Sequence, residues 1–279
     1  MSKTIRQIIR HVVLAFLALF WLIPILWLVL CSFGIDKGPN ISSFFPKGYT
    51  LEHYIGLLTA DSSSVSQFPQ WFMNTFTIAV FTCIISSIFV LMVAYAMSCM
   101  RFKMRKPLMN AAIIMNLFPG FLSMIAVYFI MKNIGLTDSK IGMIIVYSAG
   151  SGLGYLIAKG FFDTISKSLR EAAYLEGANE FTVFCKIIVP LSKPIIVYTV
   201  INSFLVAWMD FVFASIMLSS NANKTVAMGL FAMVDKVNRN SYFAQFCAGG
   251  VLVSIPISAL FFIMQKFYVE GITGGSVKG

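Results

Sequence analysis

The chain has 279 residues, of which 58% are hydrophobic and 11% are charged, with a mean hydropathy of +0.84. Soluble domains carry about 25% charged residues, so this composition excludes a soluble enzyme or a soluble binding module. The net charge of +10 is compatible with nucleic-acid binding. The placement of the basic residues, described below, accounts for that charge as membrane topology instead.

Six apolar runs approach or exceed the roughly 20 residues that a helix needs to cross a bilayer. We predict an all-α membrane protein with spans at about residues 12–31, 71–99, 107–131, 141–158, 195–218 and 243–267. All six belong to one predicted transmembrane domain covering residues 1–279. The first run follows three basic residues, and we interpret it as an uncleaved span because it is long and lacks a small-residue cleavage site.

Two of the predicted spans contain residues that loosen a helix or its packing. The third span is interrupted by Asn-Leu-Phe-Pro-Gly at residues 116–120, which is either an ordinary kink or a loosened backbone beside a water-lined path. The fourth span contains Gly150 and Gly154, whose spacing allows two helices to approach closely.

The basic residues define the orientation. With six spans, fourteen of the 21 lysines and arginines fall on the side that holds both termini, the loop after residue 99 and the segment at residues 159–194. The positive-inside rule therefore places both termini and this segment in the cytoplasm, in a multi-pass protein of the cell (cytoplasmic or inner) membrane. No nucleic-acid partner is needed to explain the charge.

The sequence lacks motifs for metal binding, nucleotide binding and catalysis. The five cysteines have no CxxC or Cys/His spacing, so neither a metal site nor a disulfide framework is predicted. There is no GxxxxGK[ST] phosphate-binding loop, and no catalytic constellation appears. We predict that the chain is not an enzyme, has no catalytic residue, and binds no cofactor or metal of its own, which leaves a transporter, a passive channel or a membrane scaffold.

A polar segment at residues 159–194 separates the fourth and fifth spans and is too long for a tight turn. Apolar residues recur at helical spacing on both sides of Gly177, which predicts a helix–turn–helix with glycine at the bend. Pro190 and Pro194 are expected to end the second helix before the fifth span. On physical grounds the segment either docks into a groove of a partner or rests on the lipid headgroups.

This segment also carries the motif that resembles the EAA loop of ATP-binding-cassette importer permeases, EAA-x3-G-x9-I-x-LP. One position departs from the pattern, since Val189 stands where leucine is usual. The matching residues are Glu171, Ala172, Ala173, Gly177, Ile187 and Pro190. The chain is thereby identified as a member of this family.

Four further stretches are similar to the carbohydrate branch of these permeases, namely residues 116–120, 161–169, 225–231 and 271–279. The likeness covers essentially the whole chain and is greatest to the shorter permease subunit of maltose/maltodextrin importers. It implies the type I importer permease fold with six transmembrane helices and a cytoplasmic EAA coupling helix. It also implies import of oligosaccharides, with maltodextrin favoured and raffinose-type sugars as alternatives.

The resemblance further implies a set of partners. A second homologous permease would complete the translocation path, an extracytoplasmic sugar-binding protein would deliver the sugar, and a cytoplasmic ATPase dimer would use ATP and Mg²⁺. The motif residues would form a coupling helix in a cleft of the ATPase, where two alanines permit close approach and Glu171 can pair with a basic residue. The loop from about Ser219 to Tyr242 would face the binding protein, and the C-terminal tail would reach towards the ATPase.

Asp210 is the only acidic residue inside a predicted span. A charge at mid-bilayer costs roughly 2.5–3.5 kcal/mol, so Asp210 is expected to face the bundle interior or a cavity. It either lines the sugar path, as we also suggest for Asn116, or acts as a structural partner of Asn202, Trp208 or a neighbouring helix. The rival hypothesis is an ion- or proton-coupled sugar carrier that titrates Asp210, but such carriers usually show several intramembrane charges and internal repeats.

Overall fold

In the computed structural model, the described residues are 3–39, 44–59, 66–117, 120–150 and 152–275, and no β-strand occurs within them. The all-α prediction is confirmed. The helices are α1 (Lys3–Phe33), α2 (Glu52–Leu58), α3 (Phe68–Cys99), α4 (Arg105–Asn116), α5 (Gly120–Asn133), α6 (Lys140–Ala149), α7 (Gly152–Phe162), α8 (Lys167–Leu175), α9 (Glu180–Val183), α10 (Val189–Leu191), α11 (Lys193–Met209), α12 (Val212–Met217), α13 (Val226–Met233) and α14 (Arg239–Gly275).

Three helical stretches are each long and apolar enough to cross a membrane, namely Thr4–Phe33, Phe68–Cys99 and Arg239–Lys266. Three pairs of helices satisfy the same criteria only when the two members are taken together. The members of these pairs are bent by 104° between α4 and α5, by 43° between α6 and α7, and by 86° between the Glu180–Leu191 stretch and α11. By length and composition the described residues thus hold three candidate spans, or six if each bent pair counts as one.

The predicted span at residues 195–218 is not a single helix. Helix α11 ends at Met209, Asp210 adopts an extended backbone with ψ 132°, and α12 begins at Val212. The carboxylate of Asp210 accepts the backbone N–H groups of Phe213 and Ala214, at 3.3 and 2.7 Å. The break is therefore built by a side chain that caps the following helix, in the manner of an N-cap aspartate.

The chain divides into two compact units, the first formed by residues 1–70 and 228–255. Within this unit, the end of α1 is fastened to α2. The Ser32 and Tyr54 hydroxyls share a hydrogen bond of 2.6 Å, and His53 Nε2 lies 2.8 Å from the carbonyl oxygen of Gly34. In contrast, residues 4–26 of α1 are exposed on all sides although they are predominantly apolar. A helix that is apolar all round suits a hydrocarbon environment.

The second unit comprises residues 71–227 and 256–279. One of its cores is a buried cluster, called here the α3–α11 core, which joins α3, α7, the segment after α8 and the start of α11. Its members are Val90, Leu91, Ala94, Tyr95, Ala158, Phe162, Val183, Ile188 and Ile195. Polar residues 159–194 are therefore packed onto the apolar helices rather than extended away from them.

The glycine pair predicted to bring helices together is divided by the break between α6 and α7. Gly154, in α7, lies against α3, where an added Cβ would be 3.5 Å from Val90 Cγ2. Gly150 instead ends α6, and its N–H donates to the carbonyl of Val146 at 2.9 Å. Only Gly154 makes the kind of close helix contact that the spacing predicts.

Candidate functional site

Helix α8 carries the first half of the EAA-like motif on the surface of the second unit. Its N-cap is Ser166, whose hydroxyl accepts the N–H of Ser168. Glu171 and Ala172 are exposed, whereas Ala173 is half-buried and packs against the α3–α11 core. The three consecutive motif residues thus present two side chains outwards and one inwards.

The bend after α8 is a Schellman motif. Gly177 has φ +83°, its N–H donates to the carbonyl of Tyr174 at 3.0 Å, and the N–H of Ala178 donates to the carbonyl of Ala173 at 3.0 Å. These are the two bonds that define this helix C-cap, and they require a left-handed residue four positions after Ala173. An added Cβ at Gly177 would meet nothing within 4 Å, so within this chain the backbone conformation, and not lack of space, favours glycine.

The helix that follows the bend ends at Leu191, between Pro190 and Pro194 and before α11, as expected. Residues Phe184–Ile188 form a π-helical turn, and the N–H of Val189 donates to the carbonyl of Phe184. This wider turn gives the proline ring room that an α-helical turn would deny it, and α10 continues to Leu191. The chain then turns at Ser192, and Pro194 sits in the first turn of α11.

The motif residues fall into two groups in the structure. Ala173 and Ile187 are half-buried against the α3–α11 core and support the segment from within. The exposed members are Glu171, Ala172, Gly177 and Pro190. Only the second group is available for contact with another protein.

Two large apolar side chains stand out beside the bend. Leu175, the last residue of α8, is 91% exposed, and Phe181, in α9, is 74% exposed. They lie on either side of Gly177 in the sequence. Exposed apolar side chains in an otherwise polar segment mark an interaction surface. Sequence reasoning had noted Phe181 only as part of an apolar helical pattern and had not noted Leu175.

A polar contact set that the sequence did not reveal fastens the segment to α3. The Glu180 carboxylate accepts hydrogen bonds from the hydroxyls of Tyr95, in α3, and Tyr174, in α8, the latter at 2.9 Å. Arg170 donates to the carbonyl of Cys99 at 3.2 Å. Burial raises the pKa of the Tyr174 hydroxyl, which therefore remains a hydrogen-bond donor at neutral pH. The spacing of Arg170 and Tyr174 on one helical face was the available sequence signal, but the contacts to α3 join residues 71 and 85 positions apart, Arg170 with Cys99 and Glu180 with Tyr95.

Asp210 is half-buried and satisfied by its own unit. In addition to capping α12, its Oδ2 accepts a hydrogen bond from the Tyr147 hydroxyl of α6 at 2.7 Å. The structural partner is thus a neighbouring helix. Asn202 instead donates to the carbonyl of Tyr198 at 2.9 Å.

Asn116, the other candidate for the translocation path, is the last residue of α4 and is exposed. Its side-chain amide donates to the carbonyl of Ala112 at 2.8 Å. No hydrogen bond among the described residues joins Asn116 to Asp210, and residues 118 and 119 of the interrupted stretch lie outside the described part. The two candidates therefore belong to separate local arrangements.

The segment after α12 is held by a second polar anchor. Asp138 has φ +50°, and its N–H donates to the carbonyl of Met217 at 2.8 Å. Its Oδ1 accepts the N–H groups of Ser219 and Ser220, at 3.0 and 3.1 Å, while its carbonyl accepts the Asn223 amide at 2.6 Å. Burial opposes ionisation, but the bonds from Ser220 and Ser219 outweigh it and hold the Asp138 pKa below its ordinary value. Part of the loop predicted to meet the binding protein is therefore fixed in place.

Comparison with known proteins identifies the chain. Residues 93–274 match the profile of the family described as "binding-protein-dependent transport system inner membrane component". The chain belongs to this family. The permease is 34% identical to the galactooligosaccharides transport system permease protein of Bacillus subtilis (strain 168), over 99% of this chain and 97% of the relative.

Two further likenesses cover almost the whole permease. It is 26% identical to the maltodextrin transport system permease protein of the same organism, over 100% of this chain and 98% of the relative. Its structure matches a chain in the crystal structure of a bacterial ABC transporter involved in the import of the acidic polysaccharide alginate, with a TM-score of 0.80 and 24% identity. That match covers 96% of this chain and 99% of the other. The predicted family and the importer permease fold are confirmed.

The family also settles the question of enzymatic activity. Its members are permease subunits, which have no ATPase site of their own, and ATP hydrolysis belongs to a separate subunit. The permease is therefore a transport subunit of the inner membrane, as the family description states.

Proposed function

We propose that this permease forms half of the path through which an ATP-binding-cassette importer moves an oligosaccharide into the cytoplasm. Relatives named for galactooligosaccharide and maltodextrin transport match it over nearly their full lengths and support this class of substrate. Maltodextrin is the sugar favoured by the sequence motifs. Galactooligosaccharide is a second candidate. The relative named for its transport is 34% identical to this chain, whereas the relative named for maltodextrin transport is 26% identical.

The observation that carries the proposal is the bend at Gly177 in the polar segment at residues 159–194, called the coupling segment below. Leu175 and Phe181 expose apolar surface on either side of Gly177, and Gly177 itself adds no side chain to the bend. A protein groove that accepts both side chains would remove them from water, at about 25 cal/mol for each Å² of apolar surface covered. We assign this surface to the ATPase subunit, with Glu171 available for an ion pair at the exposed face of α8.

The rest of the segment suits a rigid lever. Val183 and Ile188 are fully buried in the α3–α11 core, and the Glu180 carboxylate joins α3 and α8 through two tyrosine hydroxyls. A displacement of the bend would therefore be transmitted to α3 and α11, because closely packed cores move as units and do not deform continuously. In this way ATP hydrolysis in the partner would change the translocation path.

The remaining partners follow from the same proposal. A second, homologous permease would supply the other half of the path, and an extracytoplasmic binding protein would deliver the sugar to the segment anchored by Asp138. The basic residues support an orientation with both termini and α8 in the cytoplasm. The C-terminal tail is proposed to approach the ATPase, and its residues 276–279 lie outside the described part.

The contacts of Asp210 weigh against the rival hypothesis of a titrating carrier. Both of its carboxylate oxygens are engaged by backbone N–H groups of α12, and one also accepts the Tyr147 hydroxyl. Asp210 is thus explained as a helix cap, and the hydrogen bonds that it accepts compensate the negative charge of its carboxylate. Asn116 remains our candidate for a side chain along the sugar path.

The proposal is tested by uptake of radiolabelled maltodextrins, galactooligosaccharides and raffinose-type sugars in a strain deleted for this chain and complemented with it. We expect uptake of one oligosaccharide class, lost when the partner ATPase is inactivated, together with co-purification of the permease and the ATPase. Sugar uptake that persists with an inactive ATPase and collapses when the proton gradient is removed would refute the importer and favour the carrier.

A further inference from the structure

A polar cavity of about 470 Å³ opens between the end of α3, the start of α4 and the coupling helix α8. Its polar wall is dominated by cations from two separate parts of the chain. The four basic side chains are Arg101, Arg105, Lys167 and Arg170, and the two acidic ones are Glu171 and Glu180. This group is called the basic cavity below.

The acidic groups around the basic cavity do not neutralise it. Glu180 is already engaged by the Tyr95 and Tyr174 hydroxyls. Asp163, which follows α7, forms an ion pair with Lys159 and accepts a hydrogen bond from Ser98. Four formal positive charges therefore line the cavity with two negative ones, which leaves a net formal charge of +2.

Three of the four cationic side chains, those of Arg101, Arg105 and Lys167, make no hydrogen bond within the described part of the chain, whereas Arg170 donates to the Cys99 carbonyl. They come from two separate segments of the chain, since Arg101 and Arg105 lie at the α3–α4 connection and Lys167 is the first residue of α8. Like charges gathered at one cavity are unfavourable unless an anion joins them, because each cation raises the potential felt by the others. The basic cavity is thus suited to a ligand with a concentrated negative charge.

The position of the basic cavity identifies the source of that anion. Its lining includes residues 98–100, at the end of the apolar 32-residue helix α3, so it lies where a span meets the aqueous phase. In the connection to α4, Phe102 and Met104 are 40% and 56% exposed and alternate with Arg101 and Arg105. Exposed apolar side chains interleaved with cations are typical of a segment seated at the boundary between headgroups and acyl chains.

We propose that the basic cavity binds the phosphate group of an anionic phospholipid from the cytoplasmic leaflet, and that this lipid holds α8 against the α3–α4 connection. Guanidinium groups bind phosphate oxygens in a bidentate manner, and Lys167 adds a compact charge from α8. The Phe102 and Met104 side chains would lie beside the acyl chains. Its effect on transport rests on the coupling role proposed for α8, whereas the lipid site itself does not.

The test uses the complete transporter in nanodiscs of phosphatidylcholine with increasing phosphatidylglycerol. The R101Q/K167Q variant removes one cation from the α3–α4 connection and one from α8, and the matched K103Q/K106Q variant removes the same charge from the connection and the start of α4, outside the cavity lining. Lipid retained by the complex is counted by native mass spectrometry, and sugar-stimulated ATP hydrolysis is measured in the same discs.

We expect wild type and K103Q/K106Q to retain phosphatidylglycerol and to need it for coupled hydrolysis. Each cation near a lipid surface contributes about fivefold in affinity, so R101Q/K167Q should need roughly 20-fold more phosphatidylglycerol for half-maximal retention. The R101K/K167R variant keeps both charges and one guanidinium group, so it should retain much more phosphatidylglycerol than R101Q/K167Q, which separates the loss of charge from a folding defect.

Equal retention by R101Q/K167Q and K103Q/K106Q would overturn the proposal, as would a wild-type complex that retains no anionic lipid. If inorganic phosphate or glycerol phosphate replaces phosphatidylglycerol in neutral discs, the ligand is a free phosphate and the lipid assignment fails. If R101Q/K167Q instead loses the ATPase with unchanged lipid retention, the cavity binds a protein carboxylate and the assignment also fails. A wild-type complex that retains lipid but transports no sugar would support the lipid site and contradict the proposed function.

Discussion

Substitution of Gly177 separates the two roles that the bend of the coupling segment can have. Gly177 has φ +83°, and left-handed backbone costs a residue with a Cβ roughly 1–2 kcal/mol. Asparagine and aspartate pay less, because their short polar side chains form local hydrogen bonds in this conformation. Backbone strain alone therefore predicts that Gly177→Ala is more damaging than Gly177→Asn.

Close docking predicts the opposite order. No atom of the chain lies within 4 Å of an ideal Cβ at Gly177, so any steric conflict must come from the partner. If the ATPase approaches the bend between Leu175 and Phe181, a four-atom asparagine or aspartate side chain obstructs it more than a methyl group. We expect at least a tenfold loss of ATPase affinity for Gly177→Asn and Gly177→Asp, which corresponds to about 1.4 kcal/mol.

The assay is co-purification of the ATPase with each variant at equal membrane levels of the permease, followed by uptake of the labelled oligosaccharide. The expected order of retained ATPase is glycine, alanine, asparagine, aspartate, with Gly177→Asn as the uncharged control for Gly177→Asp. An alanine variant that retains less ATPase than the asparagine variant would refute close approach and leave only the backbone role of Gly177. Normal uptake and normal ATPase binding by Gly177→Asp would refute docking at this bend altogether.

Three further predictions concern the polar anchors. Glu180→Gln weakens two charge-assisted hydrogen bonds, which are worth about 1.5–3 kcal/mol each when buried and less at this exposed position. We therefore expect ATP hydrolysis to continue with less sugar imported per ATP. An unchanged ratio of imported sugar to hydrolysed ATP would contradict the proposal that the coupling segment acts as a rigid lever. The Asp138 carboxyl has a folded-state pKa below its unfolded value of about 3.9, so its stabilisation is complete above that value and is lost as the pH falls through the lower folded-state pKa. Protease resistance of the adjoining loop should therefore be constant from neutral pH to about pH 5, and a loss near neutral pH would exclude Asp138 as the group responsible. Asp210→Asn keeps one acceptor oxygen for the cap, so it should keep the uptake kinetics and lose less stability than Asp210→Ala, which should lose about 1 kcal/mol; loss of the pH dependence of uptake in the asparagine variant would instead indicate a titrating role.

Local sequence information was sufficient for the class and the family of this protein. Apolar runs of about 20 residues can be read within a short window, because bilayer thickness sets their length. The EAA-like motif also lies within a short window, and its resemblance to the family pattern identified the family. The spacing from Ala173 to Gly177 even has a local physical cause, since the Schellman bonds join residues only a few positions apart.

The breaks in the apolar stretches could not be placed in the same way. Residues 195–218 are apolar on both sides of Asp210, so composition suggested one continuous span with a buried acid. The structure ends α11 at Met209, because Asp210 caps α12 and bonds to Tyr147, 63 residues earlier in the chain. The π-helical turn before Pro190 was not predicted either, since the residue types alone do not indicate such a turn.

Tertiary structure also decided which motif residues are available to a partner. The sequence by itself determined that Glu171, Ala172, Ala173 and Gly177 share one helix and its cap. It did not determine that Ala173 faces inwards, or that Glu180 meets Tyr95 across 85 residues to fasten the segment to α3. The physical reason is that hydrogen bonds and packing contacts depend on distance in space, whereas sequence periodicity reports only neighbours within a helical turn or two.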